Sequence, residues 1–154
     1  MASASAAAGV DYYPHLGFYY KVQFSISPSK NDARFQSVSG LSVTCDIETH
    51  KEGGENRFEH KLPGRTKYAD LTLKRGMFTD SVVTRWCQAA LTTRIYVPAD
   101  IVIILMNEKS EPLRVWNVFW AFPKRWEFSE LKSDENTIMV ETLELSYRYF
   151  TLLL

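Results

Sequence analysis

The segment from Leu41 to Leu62 constrains the fold most, because it shows both an extended strand and the place where that strand turns. Apolar and polar side chains alternate with a period of two, which predicts a half-buried β-strand. Its apolar members are Leu41, Val43, Cys45 and Ile47. The pair Gly53-Gly54 follows in a polar stretch and is typical of a two-residue hairpin turn that needs positive φ. We therefore predict a β-ribbon whose polar arm runs from Thr49 to His60.

The stability of such a ribbon depends on what packs against it. An isolated two-stranded ribbon is only marginally stable in water. The arm is then either a solvated flexible hairpin or a structure that a neighbouring molecule supports, and the residues of the arm alone leave both open.

The charge balance limits the classes of partner. Lysine and arginine number 18, aspartate and glutamate also number 18, and the formal net charge of the 154 residues is zero. A general nucleic-acid binder depends on neutralising phosphates, so the charge balance argues against that class. We also expect no sequence-specific nucleic-acid binding. A chain without net charge has little long-range self-repulsion, which permits many copies to pack together.

The start of the chain and its longest apolar run give two further expectations. The Ala- and Ser-rich start lacks the features of a signal peptide, so residues 1–15 are expected to form a flexible N-terminal arm and 16–154 a single domain. The longest apolar run, Ile101 to Met106, is too short for a membrane span.

Cys45 and Cys87 are interpreted as buried thiols of a chain made in the cytoplasm, in preference to a disulfide.

Several other segments predict strands. Strict alternation marks Phe18 to Ser27 and the segment from Leu71 to Gly76, whereas Ile101 to Met106 and Val115 to Phe122 are apolar in both phases and need cover on two faces. The last strand, from Ile138 onward, is expected to be the longest, at more than about 40 Å. Its long edge would be an aggregation hazard unless another strand pairs with it.

One helix and two turns complete the pattern. Thr79 or Asp80 can cap a helix, because apolar residues then recur at three- and four-residue spacing. This stripe consists of Val82, Val83, Trp86, Cys87, Ala90 and Leu91. The stretches 28–34 and Lys61 to Arg65 are interpreted as a turn and a loop.

No residues combine into a catalytic or metal-binding pattern. The histidines His15, His50 and His60 have no metal-ligand spacing, and no cofactor motif is present, so we expect no metal, no cofactor and no catalytic residue. Glu141 lies on a largely apolar strand face, where it is interpreted as a buried partner for an arginine. Glu144 would lie on the opposite face of that strand.

A short basic segment leaves two interpretations open. Its members are Lys61, Arg65 and Lys67. They could hold phosphate, although a solvated turn or a salt-bridging contact is the preferred interpretation.

The order of short motifs along the chain resembles the phage tail tube protein family. More narrowly, it is similar to inner tube proteins of contractile phage tails and of extracellular contractile injection systems. The motifs are Gly40-Leu41-Ser42-Val43, Glu52-Gly53-Gly54, Lys61-Leu62-Pro63-Gly64, Leu73-Lys74-Arg75-Gly76, Trp86, Pro98, Asn107-Glu108, Glu111-Pro112, Trp116, Ala121-Phe122-Pro123, Glu141-Thr142-Leu143-Glu144-Leu145 and Phe150. The resemblance covers roughly residues 16 to 151.

The resemblance implies a mainly β fold, with two packed antiparallel sheets as a sandwich or partly open barrel and one flanking α-helix. It implies a structural protein, not an enzyme, that forms hexameric rings stacking into a hollow tube. Sheath contraction would drive this conduit, with cargo in its lumen, through a target envelope. The implied partners are further copies of the chain, a sheath protein, baseplate and cap or terminator proteins, and lumen cargo, within a particle that can be extracellular.

Two interfaces are hypotheses, one implied by the resemblance and one argued from the closing residues. The ring-stacking interface would comprise Lys51, Glu52, Gly53, Gly54, Glu55, Arg57 and Glu59. The closing residues Leu152, Leu153 and Leu154 lie outside the family pattern, and an exposed triple leucine is costly, so we expect them at a subunit or ring interface.

Three alternatives stay open. The chain could be the tube-initiator isoform next to the baseplate. It could instead be a monomeric β-sandwich ligand-binding module that uses Trp116, Trp120 and Trp126 as an aromatic platform, with Trp116, Trp120 and Phe122 on one strand face. An enzyme is the third and weakest choice.

Overall fold

The computed structural model describes residues 19–28, 31–51, 53–54, 57–134 and 136–153. The strands are β1 Tyr20–Phe24, β2 Ser37–Ser39, β3 Val43–His50, β4 His60–Tyr68, β5 Leu71–Gly76, β6 Ala99–Met106, β7 Pro112–Phe128, β8 Val140–Ser146 and β9 Tyr149–Leu152. The helix α1 spans Val82–Thr92, and a 3-10 turn spans Asn31–Ala33. The mainly β fold with one helix is confirmed. The expected N-terminal arm, residues 1–15, lies outside the described residues.

Two antiparallel sheets share strand β7. The first half of β7 pairs with β6 on one edge and with β9 on the other, and β1 continues the sheet beyond β6. The second half pairs with β8, and the order continues through β5 to β2. Strands β3 and β4 pair with each other and form a separate two-stranded sheet.

A bulge in β7 lies where the chain passes from one sheet to the other. Between Ala99 and Ile101, strand β6 advances two residues while β7 advances three, from Ala121 to Val118. Trp120 takes the extra position with φ 56°, in the left-handed region that an L-residue seldom adopts. Val118 and Ala121 are buried, and the Trp120 side chain faces solvent.

The bulge corrects one expectation about side-chain faces. Uninterrupted alternation placed Trp116, Trp120 and Phe122 together, but the extra residue reverses the phase within that run. Trp116 packs against the core, whereas Trp120 and Phe122 are exposed.

The longest strand is β7, with 17 residues, and not the C-terminal segment. The chain bends at Tyr147 and Arg148, which divides that segment into β8 and β9. Both still pair with β7 in nearly continuous register, from Phe122↔Ser146 to Phe119↔Tyr149. The division is therefore a local break opposite the bulge.

The core lies between the sheets and α1. Its buried apolar side chains are Val22, Phe24, Leu71, Leu73, Val83, Trp86, Cys87, Ala99, Ile101, Ile103, Val118, Ala121, Leu143, Leu145 and Tyr147. The alternation predicted for β1 and β5 is confirmed by the burial of Val22, Phe24, Leu71 and Leu73. Val102 and Ile104 of β6 are half-buried, so cover on the second face of that strand is partial.

The helix begins one residue later than expected. Ser81, and not Thr79 or Asp80, is the N-cap, because its backbone is extended and its hydroxyl accepts a hydrogen bond from the Thr84 amide at 3.2 Å. Four residues of the predicted stripe are buried: Val83, Trp86, Cys87 and Ala90. Within the described part of the chain, no helix is both long and apolar enough to cross a membrane.

Candidate assembly surfaces

Strands β3 and β4 form the predicted ribbon, which we call the ribbon (Val43–Tyr68). The strands pair from Val43↔Tyr68 to His50↔His60. The connection between them is therefore the stretch 51–59 and not the predicted two-residue turn. Gly53-Gly54 forms a turn inside this connection, where Gly54 has a φ of +102°. A longer loop is needed because pairing stops at the two histidines.

The segment Lys61 to Arg65, predicted to be a loop, belongs to strand β4. Pro63 has no amide hydrogen to donate, and it is tolerated here because β4 pairs with β3 alone among the described strands. A register shift between Cys45 and Ile47 absorbs one extra residue of β4 nearby. A proline in a strand with an open edge is thus compatible with the ribbon.

One face of the ribbon is apolar and has no cover. Cross-strand partners share a face, so Val43, Cys45, Ile47 and Pro63 lie together; we call these four residues the apolar ribbon face. All four are exposed, and Ile47 is 62% exposed. The alternation predicted a half-buried strand, and for the single chain this is wrong, since no described residue of the chain covers the face.

The two cysteines differ in burial, because one lies in the core and the other on the apolar ribbon face. Cys87 lies on the buried face of α1, and this burial raises the pKa of its thiol to about 12. Cys45 is exposed on the apolar ribbon face, so the expectation that it is buried is wrong for the single chain. Both are free thiols.

The tip of the ribbon carries mixed charge. Lys51 and Glu59 form an ion pair, with 3.3 Å between Nζ and Oε1. Arg57 is exposed, and nothing lies within 4 Å of a Cβ built on Gly53 or Gly54. Glu52 and Glu55 of the hypothesised stacking interface lie outside the described residues. The tip is open to a partner on the sides that are described.

The basic residues of β4 form part of the ribbon surface. Lys67 pairs with Asp46 across the two strands at 2.7 Å, which is the salt-bridging interpretation for this residue. Lys61 and Arg65 are exposed. Among the residues with described positions, no three His, Cys, Asp or Glu side chains are grouped so that they could hold a metal ion.

The base of the ribbon is fixed to the corner between β8 and β9. Gly40 has a φ of +96°, and its carbonyl oxygen accepts a hydrogen bond from the Tyr147 hydroxyl at 3.0 Å. The Tyr68 ring packs edge-on against Tyr147 and Phe150, with centroids 5.9 and 5.5 Å apart. These contacts set the direction in which the ribbon leaves the sheets.

A buried ion network joins strands β5 and β8 to the 3-10 turn and the start of α1. The Arg75 guanidinium donates to Glu141 Oε2 at 2.8 Å and to Asp32 Oδ1 at 3.1 Å. It also donates to the hydroxyls of Ser81 and Thr84, at 2.6 and 2.9 Å. All three charged side chains are at most 4% exposed. The interpretation of Glu141 as the buried partner of an arginine is confirmed.

Every member of the network has its partners. Glu141 Oε1 accepts from Thr84 and from Trp126 Nε1, and Asp32 accepts from the hydroxyls of Ser27 and Ser81. Burial alone would raise the pKa of Asp32, but these hydrogen bonds and the Arg75 charge outweigh it and hold that pKa below its usual value. The network therefore has a structural role, since its charged groups are paired with groups of the same chain.

The three tryptophans do not form a common platform. Trp126 is tied to Glu141, Trp116 packs on the core, and Trp120 faces solvent. The Arg148 guanidinium lies 3.6 Å above the Trp120 ring. A shallow depression of about 320 Å³ lies beside them, lined by Tyr96, Pro98, Trp120, Phe122 and Arg148; we call it the corner pocket.

The chain matches the family described as T4-like virus tail tube protein gp19 over residues 16–151. It belongs to that family. The chain is therefore a tail tube protein, a structural component and not an enzyme.

Solved structures of phage-tail-like particles contain chains similar to this tail tube protein. A chain of the anti-feeding prophage (AFP) baseplate, whose cryo-EM structure is 6-fold symmetrised, is 32% identical with a TM-score of 0.83, covering 92% of this chain and 96% of that one. A chain of the extended sheath-tube complex of PVC, an extracellular contractile injection system, is 26% identical with a TM-score of 0.79, covering 97% and 98%. A chain of the AFP tube terminating cap is also 26% identical, with a TM-score of 0.79 and 98% of both chains covered.

More distant structures share the fold alone. Hcp1 from Flavobacterium johnsoniae is 12% identical with a TM-score of 0.52, covering 88% of this chain and 95% of that one. No curated protein sequence matches this tail tube protein.

Apart from the ribbon, strands β1, β2 and β9 of this tail tube protein each have an unpaired edge in the described parts of the chain. Strand β1 pairs with β6 alone, β2 with β5 alone and β9 with β7 alone. Leu152 and Leu153 next to the β9 edge are exposed, although the Leu153 amide donates to the Val115 carbonyl at 2.8 Å. Leu154, the last of the closing leucines, lies outside the described residues. Open edges of this kind invite a further strand.

Proposed function

We propose that six copies of this tail tube protein form a ring and that rings stack into the hollow inner tube of a contractile injection system or contractile phage tail. The observation that carries this proposal is the set of open edges at β1, β2 and β9. Free edges in a soluble protein are an aggregation hazard, and a closed ring of subunits removes them. The 6-fold symmetry of the AFP baseplate structure, which contains a similar chain, supports six as the number.

The tip of the ribbon contacts the adjacent ring in this proposal. The contacting residues are Lys51, Glu52, Gly53, Gly54, Glu55, Arg57 and Glu59. Mixed charges at exposed positions contribute little affinity, but they oppose wrong registers between rings. The tip therefore sets the rotation of one ring on the next.

The closing leucines lie at a subunit or ring interface. Leu152 and Leu153 are exposed beside the open edge of β9, and burial of an apolar side chain stabilises by about 1.5–3 kcal/mol. Removing residues 152–154 should therefore impair ring assembly. Rings that form unchanged without them would contradict this interface.

The tube acts as a conduit and performs no bond chemistry. A contracting sheath drives it through a target envelope, and cargo leaves with its lumen. The partners we propose are a sheath protein, a baseplate, a cap or terminator and the cargo, because similar chains occur in structures of a sheath-tube complex, a baseplate and a tube-terminating cap. The chain is made in the cytoplasm and is built into a particle that can become extracellular.

Negative-stain electron microscopy of the purified protein over a range of concentrations tests the proposal. Rings with six-fold symmetry, stacking into tubes as concentration rises, are the expected result. Small uniform monomers at every concentration, with or without a baseplate, would overturn it.

The double substitution Gly53→Val and Gly54→Val tests whether the stacking of rings can be lost while the subunit still folds. Gly54 has positive φ, which a β-branched residue adopts only under strain, while the surrounding space is open. The fold and the rings should persist while stacking is lost. In a monomeric ligand-binding module the same change would have little consequence.

The tube initiator next to the baseplate is the second candidate. The observation in its favour is the 32% identity to a chain of the AFP baseplate structure, compared with 26% to a chain of the PVC sheath-tube complex. An initiator would give single rings, and only in the presence of baseplate proteins. A tube subunit would elongate into tubes without them.

A further inference from the structure

The ribbon leaves the protein at one end of β5 and β8. Its base at Gly40 and Tyr68 lies next to Leu71, where β5 begins, and next to Tyr147, which follows the end of β8. Strand β5 runs away from this base to Gly76, and β8 runs antiparallel to it. The opposite end of the sheet is therefore the end of β5 and the beginning of β8.

That opposite end carries exposed apolar side chains. Met77 and Phe78 follow β5 directly, and Leu131 and Ile138 lie in the connection from β7 to β8; we call these four residues the far-end patch. The Phe78 ring also lies 5.7 Å from the Arg75 guanidinium carbon. The Ser129 amide donates to the Val140 carbonyl at 2.8 Å, which brings the start of that connection to this end. The Met77 amide donates to the Met139 carbonyl at 2.9 Å, and Gly76 lies beside Ile138, which holds the two segments together. Leu131 is 78% exposed and Ile138 is 82% exposed.

We propose that the apolar ribbon face of one copy packs on the far-end patch of the next copy in the stack. This proposal rests on the proposed function, since it names the surface that receives the ribbon. Both surfaces are apolar, and they lie at opposite ends of one chain. A contact between unlike surfaces on opposite ends is heterologous and open, so it repeats without limit along one direction. A tube requires this type of contact.

The same contact explains the burial pattern of the ribbon. Strand β3 alternates like a half-buried strand, yet Val43, Cys45 and Ile47 are exposed in the single chain. An isolated two-stranded ribbon is marginal in water, and cover on one face gives it the support it lacks. The sequence pattern thus describes the ribbon in the stack.

The corner pocket does not suit the ribbon of a stacked neighbour. It contains Arg148, which directly follows Tyr147, and Tyr147 holds the base of the ribbon. The corner pocket therefore lies at the same end of the protein as the ribbon itself. A neighbour in a head-to-tail stack presents its ribbon to the opposite end.

Charges at the two surfaces are partly complementary. Strand β4 exposes Lys61 and Arg65, and the connection that contains Leu131 exposes Glu130 and Asp134 together with Lys132. Asp80, close to Phe78 in the chain, pairs with Arg85 at 3.5 Å. Exposed ion pairs contribute little to affinity and are screened by salt, but they favour the correct orientation.

Disulfide trapping with the native Cys45 tests the contact directly. Ile138→Cys places a single new thiol on the far-end patch, while the buried Cys87 thiol stays protonated and unreactive. A disulfide forms only where the Cα atoms approach to less than about 7 Å. Mild oxidation of assembled Ile138→Cys protein should give a ladder of dimers, trimers and longer polymers in non-reducing gels.

The matched control is Ile95→Cys. Ile95 is 60% exposed and lies in the connection from α1 to β6 next to the corner pocket, so a thiol there would be as open to the oxidant as one at position 138 without facing Cys45 of a neighbour. It should give no more cross-linking than the unaltered protein. A ladder from Ile95→Cys, with none from Ile138→Cys, would overturn the proposal.

Charge substitutions provide a second, independent measurement. Ile47→Asp and Ile138→Lys should each raise the concentration needed for tubes by roughly tenfold or more, because each puts a charge into an apolar contact. The two changes together should restore part of the loss. An unchanged concentration for both single variants would contradict the contact.

Electron microscopy of the same samples distinguishes the two proposals. Tubes without the Ile138→Cys ladder would overturn the docking contact and leave the tube function intact. Samples of the unaltered protein that never form rings or tubes would overturn both.

Discussion

The buried Arg75 network and the ribbon are opposite in burial: charged side chains are buried in the first, and apolar side chains are exposed in the second. Arg75, Asp32 and Glu141 are charged and sealed inside the protein, and each finds its partners within the chain. Val43 and Ile47 are apolar and exposed, and the described chain offers them no cover. The difference indicates that stability is concentrated in the two-sheet body, and in the proposed stack the ribbon would be covered by the next copy. Four substitutions test this division through the free energy of unfolding of the unassembled chain.

Glu141→Ala should have the largest effect. It removes the partner of Arg75 Nε and also leaves the Trp126 indole without an acceptor, and breaking a buried ion pair costs about 3–5 kcal/mol. Urea denaturation should show this loss. Glu144→Ala, three residues away on the half-buried face beside Lys124, is the control and should cost less than about 1 kcal/mol. Equal effects of the two would refute the division.

Asp32→Asn should cost about 2–3 kcal/mol at neutral pH, because hydrogen bonds to a charged group contribute about that much. The pKa of Asp32 is lower in the folded protein than in the unfolded chain, so its contribution is present above the unfolded pKa near 4. It is lost as pH falls through the folded value. Denaturation between pH 6 and about pH 2 should therefore show a weaker acid dependence in Asp32→Asn. An identical pH profile would contradict the role of this carboxylate.

Gly40→Ala, at the junction of the two regions, should lower the free energy of unfolding by more than about 2 kcal/mol. A Cβ at this position would lie 1.9 Å from the Asp70 carbonyl oxygen, and φ is +96°. The left-handed region alone costs an L-residue about 1–2 kcal/mol. Gly53→Ala is the control, since a Cβ there meets nothing within 4 Å. Thermal unfolding of both variants measures the difference, and a more harmful Gly53→Ala would be unexpected.

Ile47→Ser should have the smallest effect, within about 0.5 kcal/mol, because the side chain is already exposed in the single chain. Leu143→Ala, in the core, should cost about 2–5 kcal/mol by contrast. Urea denaturation of the two variants compares them. A large loss for Ile47→Ser would mean that the body of the same chain covers the ribbon.

Much of the fold could be predicted from local patterns. The alternation in β1 and β5 and the stripe of α1 each report a face that the chain itself covers. Glu141 stood out because a carboxylate on an apolar strand needs a buried partner. Its partner Arg75 could not be named, because pairing between β5 and β8 is a tertiary property.

The errors arose where one residue changed the phase of the alternation, or where the described chain leaves a strand without cover. The extra residue at Trp120 reverses the alternation of β7, which no period-two pattern can show. Pro63 indicated a loop, since a proline is excluded from a strand unless one edge is free. Cys45 was expected to be buried because alternation reports that a face is covered and does not report which molecule covers it.

The sharing of β7 between both sheets has a mechanical consequence. Sliding one sheet past the other would break the backbone hydrogen bonds of β7 either to β8 or to both β6 and β9, since this one strand belongs to both sheets. The body is therefore stiff against shear, and the ribbon, joined through Gly40 and Tyr68, is the compliant part. An axial load on a stack of such subunits would be carried by the bodies, while the ribbons absorb small misalignments between successive layers.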